Sequence, residues 1–117
     1  MTATIIYRVL PEEEWQKVES AGAFAGSALD VRDGFIHFST LAQLAETLAL
    51  HYRAQPGLVL LSVRTAELDP VKLRWEPARN GALFPHLYGA LPVSAVVRVD
   101  PLPLGADGVH VLPGTLE

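Results

Sequence analysis

Residues 33–40 (DGFIHFST) place a histidine and two hydroxyl side chains between a turn and an amphipathic helix. His37 can donate a hydrogen bond to a bound group or take a proton from it. Ser39 and Thr40 stand at the start of the helix, where unpaired backbone N–H groups and the helix dipole favour an anion. The pattern therefore predicts a site for a phosphorylated ligand. The alternative is structural, with His37 bonded to the backbone or exposed and both hydroxyls serving only as helix caps.

A carboxylate stands at the end of a short strand. Residues 71–75 alternate as a half-buried strand does, and Glu76 follows directly, before the break that Pro77 imposes. Beside Trp75 this carboxylate can be desolvated, which raises its pKa, or it can accept sugar hydroxyls when ionised. Glu76 is therefore a candidate catalytic residue. The alternative is an ordinary salt bridge from Glu76 to a nearby arginine.

Polar and aromatic side chains are dense in residues 79–89 (RNGALFPHLYG). Arg79 can hold a phosphate or carboxylate through paired donors. Phe84 and Tyr88 can stack on a base, and His86 and Tyr88 can form hydrogen bonds to a ligand. This segment is a candidate binding loop, and the alternative is a rigid structural loop.

The composition bounds the class of protein. The chain has 117 residues, 50% of them hydrophobic and 19% charged, so residues 1–117 are expected to form a single globular domain. The net charge is −4 and no run of Lys and Arg is present, so no nucleic-acid partner is expected. The absence of cysteine excludes a disulfide scaffold, a thiolate metal site and a cysteine nucleophile.

Neither an export signal nor a membrane span is recognisable. Residues 1–7 lack a basic start followed by a long apolar segment, and no apolar run approaches the roughly 20 residues that span a bilayer. A cytoplasmic protein without a membrane partner is expected. The four histidines are widely spaced, and the motifs of dinucleotide folds, phosphate loops, zinc proteases and serine hydrolases are absent. No metal site and no resident cofactor are therefore predicted.

Hydrophobic patterning predicts the elements that must position these side chains. Helices are expected after Pro11, ending near Gly22, and over residues 41–52, where Thr40 and Gln43 form a capping box. The predicted strands, besides a short one that carries the first histidine, cover residues 4–10, 58–63, 71–75 and 95–99.

Two stretches lack such a pattern and are predicted to be loops. Residues 21–32 are small and irregular, and residues 77–92 are rich in proline, glycine and aromatic side chains. Long ordered loops in compact domains often carry function. The resulting order, β-α-β-α-β-β-loop-β, predicts one α+β domain.

Three motifs resemble those of a family of small bacterial proteins of unknown function. They are residues 34–40 (GFIHFST), 73–77 (LRWEP) and 84–92 (FPHLYGALP), in the same order as in that family. The resemblance runs over nearly the whole chain, including residues 6–8 of the first strand and residues 101–104 of the tail.

Proteins of this kind are grouped with the ADP-ribosyltransferase-like fold. That resemblance implies a split, strongly bent mixed or antiparallel sheet with two main helices and a central NAD-binding cleft. It implies that His37, Ser39 and Thr40 lie on one cleft strand, and that Glu76 is a late-strand carboxylate. His37 and Glu76 become the candidate catalytic residues, and the candidate residues that hold the nucleotide are His37, Ser39, Thr40, Arg79, Phe84, His86 and Tyr88.

Three functions remain open at the level of sequence. The first is binding of a nucleotide of the NAD or ADP-ribose type, with ADP-ribosyl transfer or NAD glycohydrolysis and with NAD as substrate. The second is non-catalytic binding of a small phosphorylated metabolite in the same cleft. The third is a protein-interaction module, for which the sequence names no partner.

Overall fold

The computed structural model describes residues 4–116, which form three antiparallel sheets and three α-helices. The predicted α+β class is therefore confirmed. In chain order the elements are β1 (Ile5–Pro11), α1 (Glu12–Ala21), β2 (Ala23–Phe24), α2 (Ala28–Asp33), β3 (Ile36–His37), α3 (Leu41–His51), β4 (Leu58–Arg64), β5 (Leu73–Pro77), β6 (Leu83–Leu87), β7 (Leu91–Pro92) and β8 (Val96–Leu102). Within residues 4–116, no helix has both the length and the apolar character needed to cross a membrane.

The core is built around the sheet β1-β4-β8, in which β4 is the central strand. Every residue of β4 except Arg64 is buried, as its continuous apolar run predicts. Alternate residues of β1 and β4 point to opposite faces. One face packs with Trp15 and Val18 of α1, and the other packs with Leu44 and Leu48 of α3. The two longer helices thus cover opposite faces of this sheet.

Both longer helices have the ends that the sequence predicts. The first begins after Pro11 and ends at Gly22, which adopts a φ of 88° that favours glycine. The second begins after Thr40, whose side chain accepts a hydrogen bond from the Gln43 N–H while the Gln43 side chain accepts one from the Thr40 N–H. This reciprocal pair is the predicted capping box.

One short segment joins two of the sheets. Within residues 36–39, β3 pairs with β6 of the sheet β3-β6-β5. Two residues further on, Ser39 exchanges two backbone hydrogen bonds with Tyr7 of β1, at 2.8 and 2.9 Å. The chain after His37 therefore leaves one sheet and reaches the edge of the other, and the space beside this crossing contains the candidate site.

The two predicted loops were wrong in part. Residues 21–32 contain β2 and most of α2, and residues 77–92 contain β6 and β7. The helix α2 has only six residues. It is stabilised by a capping box between Ser27 and Asp30 and has no long apolar stripe. Pro85 makes β6 hard to recognise in the sequence, because proline donates no hydrogen bond to a neighbouring strand. Its carbonyl still accepts a hydrogen bond from the Phe38 N–H at 3.0 Å.

Candidate functional site

A cavity of about 490 Å³ lies at the junction of the two sheets. Its walls come from β1, from α2, from the crossing segment 37–39, from one flank of α3 and from residues 78–86. On α3 the lining residues Leu44, Thr47 and His51 follow helical spacing, so the side of this helix faces the cavity. Tyr52 extends the same wall, and burial raises the pKa of its hydroxyl above 10.0.

Asp30 is the polar centre of one wall. Its side chain is 2% exposed, and its Oδ1 accepts from Arg8 Nη1 at 2.8 Å, from the His37 N–H at 3.0 Å and from His37 Nδ1 at 2.7 Å. Its Oδ2 accepts from the Ser27 N–H at 2.7 Å. Burial by itself raises the pKa of this carboxyl, but the hydrogen bonds from His37 and Arg8 outweigh burial and hold the pKa well below its ordinary value of 3.8.

Arg8 fastens β1 to α2 and to the crossing segment. Besides its ion pair with Asp30, its Nη1 donates to the His37 carbonyl at 3.1 Å and its Nη2 donates to Ser27 Oγ at 3.2 Å. The guanidinium also lies over the Phe24 ring, 5.1 Å from its centroid. Because this buried cation already has several partners, its role is to orient the cavity wall and not to bind a ligand.

His37 lies between two carboxylates. Nδ1 is 2.7 Å from Asp30 Oδ1, and Nε2 is 2.9 Å from Asp33 Oδ2. Carboxylates only accept, so the doubly protonated ring alone donates to both at once. Hydrogen bonds lower the pKa of the Asp33 carboxyl below 3.8, the larger effect coming from Arg32 and the smaller from His37. Partial desolvation opposes this shift.

A second series of hydrogen-bonded polar side chains lies in another part of the cavity wall. Ser39 Oγ and Thr47 Oγ1 are 2.9 Å apart, and Arg79 Nη2 donates to the same Thr47 oxygen at 3.1 Å. Arg79 also pairs with Glu46 at 2.6 Å and lies over the Phe84 ring, 4.9 Å from its centroid. Hydroxyl groups, a cation and an aromatic face thus adjoin one another at this side of the cavity.

His86 lines the cavity with a carboxylate behind it. Glu76 Oε1 accepts from His86 Nδ1 and from the Tyr88 hydroxyl, each at 2.8 Å. Phe35 stacks on the His86 ring with centroids 4.0 Å apart. The hydrogen bond from His86, followed by that from Tyr88, lowers the pKa of the Glu76 carboxyl below 4.5. The bond to Glu76 in turn raises the pKa of the Tyr88 hydroxyl above 10.0.

The residues expected from the sequence divide into two sets. Five of them line the cavity: His37, Ser39, Arg79, Phe84 and His86. Glu76 and Tyr88 lie behind His86, and Thr40 is used as the cap of α3. The desolvation expected to raise the pKa of Glu76 is outweighed by the two hydrogen bonds that it accepts.

Several residues of the walls were not expected as site residues, among them Arg8, Asp30, Thr47 and Tyr52. A signal for Asp30 was present, since Ser27-x-x-Asp30 has the spacing of a capping box. An arginine inside the apolar strand Ile5–Pro11 was a second signal, because a buried cation requires a buried partner. Thr47 and Tyr52 had no comparable signal, since both fit an ordinary helix.

The cavity is locally cationic although the chain is acidic. Its lining contains three arginines, Arg8, Arg32 and Arg79, against two carboxylates, Asp30 and Asp33. Among residues 4–116, no group of three or more His, Cys, Asp or Glu side chains has an arrangement that could hold a metal ion.

The sequence pattern of the family described as "Protein of unknown function (DUF952)" matches residues 9–99. The chain belongs to this family. The predicted resemblance to a family of proteins of unknown function is therefore confirmed. The comparison with curated proteins found no match.

Solved structures of one bacterial protein have the same fold as this chain. The crystal structure of protein CC0527 from Caulobacter crescentus is 49% identical in sequence, with a TM-score of 0.88 over 93% of this chain and 95% of that chain. The solution NMR structure of the same protein is 50% identical, with a TM-score of 0.82 over 92% of this chain and 91% of that chain. This DUF952 chain thus shares the fold of the Caulobacter protein along nearly its whole length.

Proposed function

We propose that the cavity binds a nucleotide of the NAD or ADP-ribose type. The observation that carries the proposal is the composition of one continuous cavity of about 490 Å³, which combines cationic, hydroxyl and aromatic side chains. This volume falls in the range of about 300–1,000 Å³ typical of small-molecule sites. A dinucleotide fragment needs all three kinds of group, for its pyrophosphate, its riboses and its bases.

Arg79 is the side chain best placed to hold the pyrophosphate. Its Nε and Nη2 are engaged by Glu46 and Thr47, whereas Nη1 has no partner among the described residues. Glu46 is 56% exposed, so a ligand phosphate can replace it at little cost, because exposed ion pairs are weak. The neighbouring hydroxyls of Ser39 and Thr47 are suited to ribose or phosphate oxygens.

The junction of the two sheets supports the ADP-ribosylation-like part of the proposal. A split sheet with a ligand cleft at the split is the arrangement implied by the family resemblance, and residues 36–39 cross between sheets beside the cavity. Phe84 provides a flat face on which nicotinamide or adenine can stack. Glu76, behind His86, acts on such a ligand only through that histidine.

Calorimetric titration with NAD and with ADP-ribose tests the proposal. We expect saturable binding of at least one of them to the wild-type chain, weakened about tenfold or more by Arg79→Gln because a charge-assisted contact contributes about 1.5–3 kcal/mol. Arg64→Gln is the matched control, since Arg64 is exposed at the end of β4 and is expected to leave affinity unchanged. Absence of binding at millimolar concentrations of both ligands would overturn the proposal.

Non-catalytic binding of a phosphorylated metabolite is the second candidate. It is favoured by the placement of Glu76 outside the cavity lining, because a direct carboxylate contact to the ribose is then missing. Under this function the Arg79→Gln variant loses affinity for inorganic phosphate and for a sugar phosphate such as ribose 5-phosphate. Affinity for ADP-ribose no greater than that for ribose 5-phosphate would favour this candidate over the nucleotide.

A further inference from the structure

We infer that His86 is the general base of a reaction at the ribose of the bound nucleotide, with Nε2 as the basic atom and with Glu76 and Tyr88 as positioning residues. The inference rests on the proposed nucleotide site and adds a reaction to it. It differs from the expectation that Glu76 itself contacts the ribose.

The position of the proton on the His86 ring follows from its partner. The hydrogen bonds to Glu76 keep that carboxyl ionised at neutral pH, and an ionised carboxylate only accepts hydrogen bonds. Nδ1, 2.8 Å from Glu76 Oε1, must therefore carry a proton. In the neutral ring the lone pair is then on Nε2, which has no hydrogen-bond partner among the described residues.

The surroundings hold the ring in this orientation. Phe35 stacks on one face of His86, and His37 approaches it edge-on with centroids 5.6 Å apart. Tyr88 donates to the same Glu76 oxygen that accepts from His86, which adds a second hydrogen bond that fixes the carboxylate. His86 as a residue is 5% exposed and still contributes to the cavity wall. A carboxylate that orients a histidine and stabilises the imidazolium formed on proton transfer is a recurrent catalytic arrangement.

The reaction that this base serves on NAD is displacement of nicotinamide. A water molecule or an acceptor hydroxyl gives its proton to His86 Nε2 while its oxygen bonds to ribose C1′. The C1′–N bond to nicotinamide breaks, and its electron pair leaves with nicotinamide, which departs as a neutral molecule. With water the products are ADP-ribose, nicotinamide and a proton, which His86 returns to solvent.

His86→Asn is the decisive variant. The Asn amide nitrogen can take the place of Nδ1 and keep the bond to Glu76, whereas the basic Nε2 is lost. We expect nicotinamide release from NAD, measured by chromatography, to slow about 100-fold or more, while the calorimetric Kd for NAD changes less than about threefold. Glu76→Gln is expected to lower kcat more than it raises KM, because it acts through orientation of the ring.

His110→Gln is the matched control. His110 lies outside the main cavity and its Nε2 contacts the Gln55 carbonyl at 2.8 Å. A glutamine amide can reproduce that bond, so folding and nicotinamide release should both match those of the wild type.

The outcomes separate this inference from the proposed function. Two results would overturn the assignment of His86 as general base and leave the binding function standing. In the first, NAD binds but the wild type releases no nicotinamide, and in the second, the His86→Asn variant releases it at the wild-type rate. If NAD does not bind, the inference about His86 is overturned, and if ADP-ribose does not bind either, the proposed function is overturned as well. A second measurement uses the wild-type protein without ligand, so it does not depend on whether a variant folds. In ¹⁵N NMR of labelled histidines, His86 should carry a proton on Nδ1 and none on Nε2. The opposite tautomer would overturn the inference.

Discussion

At the scale of single residues, the site depends on how Asp30 is paired. This carboxylate contacts Arg8, His37 and the backbone at Ser27, so it joins α2 to β1 and to the segment that crosses between sheets. Removing one member of a buried ion pair leaves the other charge without compensation. The position of His37 in the cavity therefore depends on a residue that is itself only 2% exposed.

Asp30→Asn should destabilise the protein most at neutral pH and least in acid. The depressed pKa means that the folded state binds fewer protons than the unfolded state, so Asp30 contributes its full stability above the unfolded value near 3.8. That contribution is lost as pH falls from about 4 towards the lower folded pKa. We expect a loss of about 3–5 kcal/mol at pH 7, measured by urea unfolding, and a smaller difference between the two proteins at pH 3.

Asp33→Asn is the control for this prediction. Asp33 contacts the same histidine but is 28% exposed in its side chain, so its removal should change the unfolding free energy less. Equal losses for the two variants, or a difference between wild type and Asp30→Asn that does not shrink in acid, would contradict the account.

At the scale of elements, α2 is the part of the wall with the least support of its own. It has six residues, and glycines with positive φ lie at both ends, Gly26 at 112° and Gly34 at 84°. A methyl group on Gly26 would come within 2.8 Å of Asp30 Cβ, whereas one on Gly34 would meet no atom within 4 Å. Local backbone shape at Gly26 is thus tied directly to the position of the buried carboxylate.

Gly26→Ala and Gly34→Ala form a matched pair. Both place a side chain in a conformation that favours glycine, and Gly34→Ala is expected to cost about 1–2 kcal/mol of stability. Gly26→Ala should cost more and should also weaken nucleotide binding, because Asp30 and with it His37 must move. Thermal unfolding and calorimetric titration with ADP-ribose measure the two effects. Equal stability and equal affinity in both variants would show that α2 is not positioned in this way.

Elements with a strong local signal could be predicted from the sequence. The helix α1 begins directly after Pro11, α3 begins at the capping residue Thr40, and β4 is a continuous apolar run. The strand β6 could not be predicted from the sequence, because Pro85 interrupts the pattern of strand-forming residues. Its pairing with β5 and β3 is what makes this segment a strand. The site followed the same division. His37, Arg79 and His86 were identified from residue type, whereas the pairing of Arg8 with Asp30 joins positions 22 residues apart and depends on the tertiary fold.

At the scale of the whole molecule, an acidic DUF952 chain encloses a cavity with more arginines than carboxylates in its lining. The fold is shared with the Caulobacter protein over more than nine-tenths of each chain. A fold by itself does not determine activity, so the proposed function depends on the side chains that face the cavity. A local excess of positive charge in a net-negative protein favours a small anionic ligand over an extended polyanion such as nucleic acid.

The most direct test of nucleotide binding is an amide NMR titration of ¹⁵N-labelled protein with ADP-ribose. The account predicts saturable shifts concentrated in the walls of the cavity, at residues 37–39, along the flank of α3 that carries Thr47, and at residues 78–86. The same titration of the Arg79→Gln variant should require at least about tenfold more ligand. Shifts confined to surfaces away from these walls, or no shifts at millimolar ADP-ribose, would contradict the central claim.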